Sequence, residues 1–322
     1  MKIKIHFLSF ICLLAGITGY GQEPALHNIH LGLVAPLSTQ GRQAGEISPA
    51  FALHILQGIN YNNRGLAVAG LSTQLRGSNR GLMVSGLVNT VKGSDKGLAV
   101  AGLVNSAGNG RGMQVAGIHN HQKGNGFIQI SGLSNYSRYE MVQVAGLVNV
   151  SDEANVQIAG LVNIAANCDY PIGLINIIKN GEQQIGLQVY DDASANLLLR
   201  TGGRKTYGII GAGVGKEKKR SLLQMEAGIG YRIPLSSSLR VNAEAVAISK
   251  TDFAIWKHTQ SLRALLACKV LPGIELTLGP SVNTYKYSDS KIFPDRYILK
   301  IENYTHSFAL TWGASAGINI NL

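Results

Sequence analysis

The sequence predicts an all-β protein, an antiparallel meander that closes as an outer-membrane β-barrel of roughly 18 strands. Three observations carry this. A phrase of the form Gly-Leu-x-Val-Ala-Gly-Leu-Val-Asn recurs from about Arg64 to Asp191, each copy long enough for one strand and one turn. From Ala195 onward the phrase stops and apolar and polar residues alternate one by one. Glycine, at 39 of 322 residues, is too frequent for a helical protein, and a charged fraction of 15% is too low for a disordered one.

The N-terminus comes first in order. Met1-Lys2-Ile3-Lys4 is followed by an apolar run from Ile5 to Ile17 and then by Thr18-Gly19-Tyr20-Gly21-Gln22. Two charges, a short apolar core and small residues read as a secretory signal peptide over residues 1–21. Cys12 follows Phe10-Ile11, not the small residues of a lipid-attachment site, so cleavage near Gly21 with no lipid is expected. Two cysteines then remain, Cys168 and Cys268, read as buried thiols in preference to a bridge. No later run approaches the roughly 18 apolar residues of a membrane helix. Basic residues outnumber acidic ones, 29 to 18, and the excess survives loss of Lys2 and Lys4. For an exported chain this points to anionic lipid, including the phosphates of lipopolysaccharide, and not to nucleic acid.

Residues 22–64 form a lead-in, with strands expected at His30–Ala35 and Phe51–Tyr61 around a polar loop, Pro36–Pro49. The repeat region spans residues 65–191. Its inner glycines are Gly70, Gly86, Gly102, Gly117, Gly132, Gly146, Gly160, Gly173 and Gly186, at spacings of 16, 16, 15, 15, 14, 14, 13 and 13. Polar connectors such as Arg76–Arg80, Lys92–Lys96 and Lys123–Gly126 separate the phrases and carry the turn formers Gly, Asn, Asp and Ser. Asn180-Gly181, between Ile172–Ile178 and Gln183–Tyr190, is a hairpin signal.

Two architectures can use this repeat. In a parallel β-solenoid each repeat is one coil and the terminal Asn residues stack as a ladder. In a meander each repeat is one strand and one turn. A solenoid coil must return across its core, and Lys92–Lys96 and Lys123–Gly126 offer no inward apolar residue for that path. The connectors therefore favour the meander. The alternative is a solenoid beside a smaller C-terminal barrel.

Residues 195–322 supply the barrel strands. Leu223, Met225, Ala227, Ile229, Tyr231 and Ile233 alternate with Leu222, Gln224, Glu226, Gly228, Gly230 and Arg232, and Ile274–Asn283 and Phe308–Asn321 behave alike. An apolar outer face opposite a polar inner one marks a membrane barrel. Connectors alternate short (Gly202–Lys205, Leu235–Ser238, Leu271–Gly273) and long (Lys216–Arg220, Lys250–Gln260, Ser288–Thr305). Tyr207, Tyr231, Trp256, Tyr285, Tyr287, Tyr304 and Trp312 fall near strand ends, as interface girdles do.

Val142–Asn149, its near-copy Val156–Asn163 and the following Ala195–Gly202 make the chain resemble bacterial surface-repeat-containing proteins over about Phe51 to Val214. The resemblance implies an exported protein of the Gram-negative surface or outer membrane. It implies no catalytic residue.

The sequence points to no catalytic, cofactor-binding or metal residue, and to no cofactor. Ile209–Gly215 begins like a dinucleotide fingerprint, but Lys216 stands where the third glycine belongs. His119 and His121 share a strand face without a third ligand nearby. Asp152-Glu153 and Asp191-Asp192 are adjacent pairs in turns, so their carboxylates do not face each other across a cleft. Lys216–Arg220 is the densest basic run and reads as a solvated loop, the alternative being a contact to lipopolysaccharide phosphates. Glu226, Arg232, Arg240, Glu244 and Glu275 lie on polar strand faces, where they either line a lumen or pair across strands. The expectation is a non-enzymatic outer-membrane barrel with a structural, adhesive or passive-pore role. The alternative is an exported repeat module that binds a glycan or protein.

Overall fold

The computed structural model describes residues 28–217, 220–253, 256–287, 298–302 and 307–322. The expected signal peptide, Tyr304 and most of the 288–306 connector lie outside them. The fold is all-β, with a parallel β-solenoid and a closed antiparallel barrel. The chain divides into two compact units, Met1–Ser131 and Gly132–Leu322.

The first unit is solenoid. Leu66–Ala69 pairs parallel with Leu82–Ser85, in register Leu66↔Leu82, and Leu82–Ser85 pairs parallel with Leu98–Ala101. A second stack runs through Gln57–Asn60, Ser72–Leu75, Val88–Ser94, Val104–Asn109 and His119–Gln122. Each phrase thus makes two strands on two sides of one coil, joined at a sharp Gly-Leu corner. The single antiparallel sheet of about 18 strands gives way to the alternative arrangement, solenoid plus smaller barrel.

The return path explains the difference. It needs only one inward residue per coil, and that residue is polar. Asn63, Asn79 and Asp95 are bridged in parallel and fully buried. Asn63 Nδ2 donates to Asn79 Oδ1 at 2.8 Å, and Asn79 Nδ2 to Asp95 Oδ1 at 2.9 Å. A hydrogen-bonded amide does here what an apolar residue does in a larger core.

The corner explains the glycines. A Cβ on Gly102 would sit 1.9 Å from the carbonyl oxygen of Gly86, and one on Gly86 would sit 2.0 Å from that of Gly70. Stacked corners leave room for hydrogen alone. The corner also shifts the side-chain phase: Met83, Ser85 and Asn89 point inward, whereas Leu82, Val84, Leu87 and Val88 point outward.

The lead-in is itself a coil. Phe51–His54 and Gln57–Asn60 are separate strands around an Ile55-Leu56 corner, not one strand over Phe51–Tyr61. Ile29–Gly32 adds a parallel rung to Phe51–His54. Buried His30 and His54 meet edge to face with ring centres 4.4 Å apart. Burial, reinforced by the neighbouring His30, brings the His54 imidazole down to about 4.

The second unit opens with narrower coils. Ser134–Ala145, Val148–Ala159 and Val162–Ile172 are long strands paired in parallel. Here the return path joins its neighbours as continuous strand, with Glu140, Ala154 and Cys168 facing inward. Coils with a separate return turn are 15 or 16 residues long, and those whose return path is strand are 13 or 14. The last coil rung is Ile175–Ile178.

The barrel begins earlier than residue 195. Glu182–Tyr190 pairs antiparallel with Ala195–Gly202 on one side and with Ser307–Asn321 on the other, closing the cylinder. Asn180-Gly181 is therefore a junction turn and not a hairpin, and Ile185–Gln188 is barrel strand and not repeat. Among the described residues the remaining long strands are Thr206–Glu217, Arg220–Pro234, Leu239–Thr251, Trp256–Leu271 and Ile274–Tyr287, making eight in all. Leu299–Glu302 is a short addition to Ser307–Asn321.

Candidate functional site

Two interiors hold the buried polar groups. In the solenoid the phrase-ending asparagines stack. Asn89 Nδ2 donates to Asn105 Oδ1 at 3.0 Å, and Asn105 to Asn120 at 2.9 Å. In the second unit Asn135 donates to Asn149 at 2.9 Å, Asn149 to Asn163 at 3.0 Å and Asn163 to Asn176 at 2.8 Å. Each amide also donates its other hydrogen to a strand carbonyl of the next coil, as Asn149 does to Ile158 O at 2.7 Å. Glutamines add shorter ladders, Gln129 to Gln114 and Gln157 to Gln143.

Two acids sit in this neutral interior. Burial pushes the Asp95 carboxyl up to about 6, although Asn79 and the Gly97 N–H hydrogen-bond to it. Burial pushes Glu140 to about 8, offset in part by Ser137.

The barrel interior is filled with paired charge. Arg200 Nε meets Glu244 Oε1 at 3.0 Å, and Arg263 Nη2 meets Glu226 Oε2 at 2.9 Å. Arg263 also reaches Glu244 at 3.6 Å. Tyr190 and Tyr207 donate to Glu226 and Glu244 at 2.7 and 2.9 Å. Near the short-turn end Glu182 holds Arg232 at 3.3 Å and Arg240 at 2.6 Å, and Arg240 also pairs with Glu275 at 2.7 Å. Asn319 joins the two sets, accepting from Arg200 at 2.9 Å and donating to Glu275 at 3.3 Å. Four arginines and four glutamates balance. Of the two readings of Glu226, Arg232, Arg240, Glu244 and Glu275, cross-strand pairing is the one the geometry has.

Tyr207 belongs to this interior, 1% exposed, and not to an interface girdle. Tyr231, Trp256 and Trp312 do face outward. Glu182, Arg200 and Arg263 were not singled out from the sequence. The signal was present for Arg200 and Arg263, which occupy inward positions in the alternations Asn196-Leu198-Arg200 and Ser261-Arg263-Leu265.

One barrel end is closed by the last coil. Asn176 Nδ2 donates to Thr201 O at 3.1 Å, so the amide ladder of the second unit ends on a barrel strand. Thr206 Oγ1 donates to Pro171 O at 2.8 Å, and Lys205 Nζ to Tyr170 Oη at 2.7 Å. A Cβ on Gly208 would lie 2.4 Å from Gly173 O, which measures how closely the coil is seated. The other end carries a shallow cup lined by Tyr190, Asp192, Gln224, Lys250, Asn283 and Tyr285, with a volume of about 30 Å³. That is room for water and not for a sugar or peptide.

The remaining candidates are dispersed. His119 and His121 stand on an outer solenoid face with ring centres 6.2 Å apart, and the His121 imidazole is lowered by burial, His119 and Lys123. Among the described residues no three His, Cys, Asp or Glu side chains gather as a metal site. Asp152 is exposed and lies 3.8 Å from Arg138, and Asp192 pairs with Lys250. Lys216 and Glu217 are strand residues, whereas Lys218 and Lys219 lie outside the described residues. Among the described residues Cys168 and Cys268 are free thiols. Cys168 is buried, and burial pushes it up to about 12. Cys268 is exposed, against expectation, because it falls on the outward phase of its strand with Leu262 and Leu266.

No family model matches the chain, and no curated protein matches it. Among solved structures it is similar to a chain described as "De novo design of transmembrane beta-barrels", at 15% identity over 44% of this chain and 93% of that one, with a TM-score of 0.27. It is also similar to Neisserial surface protein A, at 13% identity over 44% of this chain and 94% of that one, with a TM-score of 0.26.

Proposed function

We propose that the chain is a non-enzymatic outer-membrane protein in which a closed barrel anchors a β-solenoid, with a structural or adhesive role. The observation that carries this is the barrel's inverted polarity. Leu187, Leu197, Ile229, Leu262, Leu266, Leu278, Trp312 and Ile320 are exposed on its outer wall, while its inside holds the arginine–glutamate networks. In water such a wall is costly, by about 25 cal/mol for each Å² of apolar surface left exposed; in lipid it is the favoured solvent contact. The filled lumen and the seated coil support an anchor over a passive pore. In outer-membrane barrels the short turns face the periplasm. The expected long connectors Lys216–Arg220 and Lys250–Gln260 are mostly strand, which leaves 288–306 as the long connection between barrel strands. The coils of residues 132–181 close the opposite end, with Gly203–Lys205, Leu235–Ser238 and Pro272-Gly273, so we assign those coils to the periplasmic side.

The test uses the two natural tryptophans. With Trp256→Phe, the remaining Trp312 should lose emission in vesicles of brominated phosphatidylcholine relative to unbrominated ones, and the band should be heat-modifiable on gels. Emission unchanged by bromine would sink the membrane reading. Planar bilayers carrying the protein should show no conductance step, and a steady open channel would restore the pore.

A further inference from the structure

We infer that the first side of the solenoid coils, with its Gly-Leu corner, is a docking surface for an anionic phospholipid bilayer. The inference rests on the barrel being membrane-embedded, and concerns a second, separate lipid contact.

The surface is built by the repeat. In the first unit the outward residues of the first side form two aliphatic files, Leu66-Leu82-Leu98-Met113 and Val68-Val84-Val100-Val115, held in register by the parallel pairing. Beside them the corner file Leu71, Leu87, Leu103 and Ile118 stands 45%, 41%, 39% and 40% exposed. Isolated exposed leucines need no explanation, but three adjoining files form a continuous apolar strip, which water-soluble monomers rarely show.

The strip is bordered by cations. Arg64, Arg80, Lys96 and Arg111 each precede the glycine that starts a first side, so they make a basic file along its edge, and all are exposed. The described part of this unit holds just two acids, buried Asp95 and exposed Glu46, against eight Lys and Arg. An apolar strip edged by Lys and Arg is the pattern of an interfacial element: the aliphatic files enter the acyl boundary while the long basic side chains reach the headgroup phosphates. The charge selects an anionic surface over a protein of unspecified charge.

The second unit supplies an independent observation. There the same coil side ends at Ile172, in register with Ile158. Pro171 and Ile172 line one apolar groove, of about 370 Å³, together with Ile229, Tyr231, Ala245 and Leu262 of the outer barrel wall. In that unit the outward coil face at Ile172 meets the outer barrel wall at this groove.

The test uses the full chain in nanodiscs at one copy per disc, with Trp256→Phe and Trp312→Phe as background. Leu103→Trp reports the strip and Lys92→Trp the far side of the same coil stack. In brominated discs of phosphatidylcholine with phosphatidylglycerol, the Leu103→Trp chain should lose emission to the degree that Trp312 does, and the Lys92→Trp chain should not. Replacing Arg80, Lys96 and Arg111 by Gln should reduce that loss, as should discs of phosphatidylcholine alone. Quenching at Trp312 with none at Leu103→Trp, given wild-type circular dichroism, overturns the inference and leaves the barrel reading intact. No quenching at Trp312 either means that the barrel reading has failed, and this inference with it. A Leu103→Trp blue shift that ignores bromine and appears only with two copies per disc means a second chain covers the strip, which also overturns it.

Discussion

Solenoid and barrel both bury polar residues, the solenoid beside a thin file of small and aliphatic ones such as Leu75, Met83 and Val91, yet they satisfy those polar groups by different means. In a parallel coil stack each residue lies over its own equivalent. A group that must bond to a copy of itself has to be donor and acceptor at once, and the carboxamides of Asn and Gln are. Carboxylates stacked in this way would repel. Burial raises the pKa values of the acids at Asp95 and Glu140, and the hydrogen bonds they accept offset this only in part. In the antiparallel barrel each strand brings different residues to the same level, so Arg200 can meet Glu244 and Arg263 can meet Glu226. A repeating sequence therefore accompanies neutral ladders, and a non-repeating one accompanies ion pairs.

Glu244→Ala removes the shared partner of Arg200, Arg263 and Tyr207. Leaving buried guanidinium groups uncompensated should cost roughly 3–5 kcal/mol. Urea titration of the heat-modifiable band should show the lowered midpoint, and an unchanged midpoint would mean the network is not what holds the interior. In the solenoid, Asn149→Ala strands the amide of Asn135, the oxygen of Asn163 and the carbonyl of Ile158. Its expected cost is smaller, about 2–4 kcal/mol, because each orphan is neutral. Hydrogen exchange over residues 134–172 should accelerate while the barrel amides stay protected.

Because the folded Asp95 carboxyl, at about 6, lies above its ordinary value of 3.8, the folded state binds the extra proton between those limits. Stability from this group is full below pH 4 and is lost as pH rises through 6, amounting to ~2–3 kcal/mol. Glu140, at about 8 against 4.5, extends the same trend upward. Asp95→Asn should continue the Asn63–Asn79 ladder and remove the lower part of the dependence. The readout is hydrogen exchange over residues 66–116 between pH 4 and 8, and equal slopes in wild type and variant would refute the assignment.

The sequence made the barrel legible because its strands obey one rule throughout: the inward and outward phases of Leu222–Ile233 persist for the whole strand. It hid the solenoid because the phase slips at each corner. Read as one flat strand, Leu87 shares a face with Met83, whereas the Gly86-Leu87 turn sends Leu87 outward and leaves Met83 fully buried. The return path hid for a related reason, since one polar residue such as Asn79 forms its inward face. The glycine period, the asparagine at each phrase end and the idea of an asparagine ladder were all visible. What they lacked was the direction of the neighbouring strand, which is set by hydrogen bonds between coils and not by any residue alone. The interior network was half visible, because its members sit at alternating positions but their partners lie on distant strands, as with Arg200 and Asn319, 119 residues apart.

The asparagine ladder of the second unit runs one way. Every amide hands its hydrogen toward the C-terminus, and the last donates to Thr201 O. A one-way chain of identical links is indifferent to how many links it has. Duplicating or deleting a whole coil leaves every donor with an acceptor, and both ends bond as before. The barrel has no such freedom, because changing its strand number reopens the wall. Copy number in the repeats is then a length variable, open to recombination between similar segments, while the barrel is held fixed by closure.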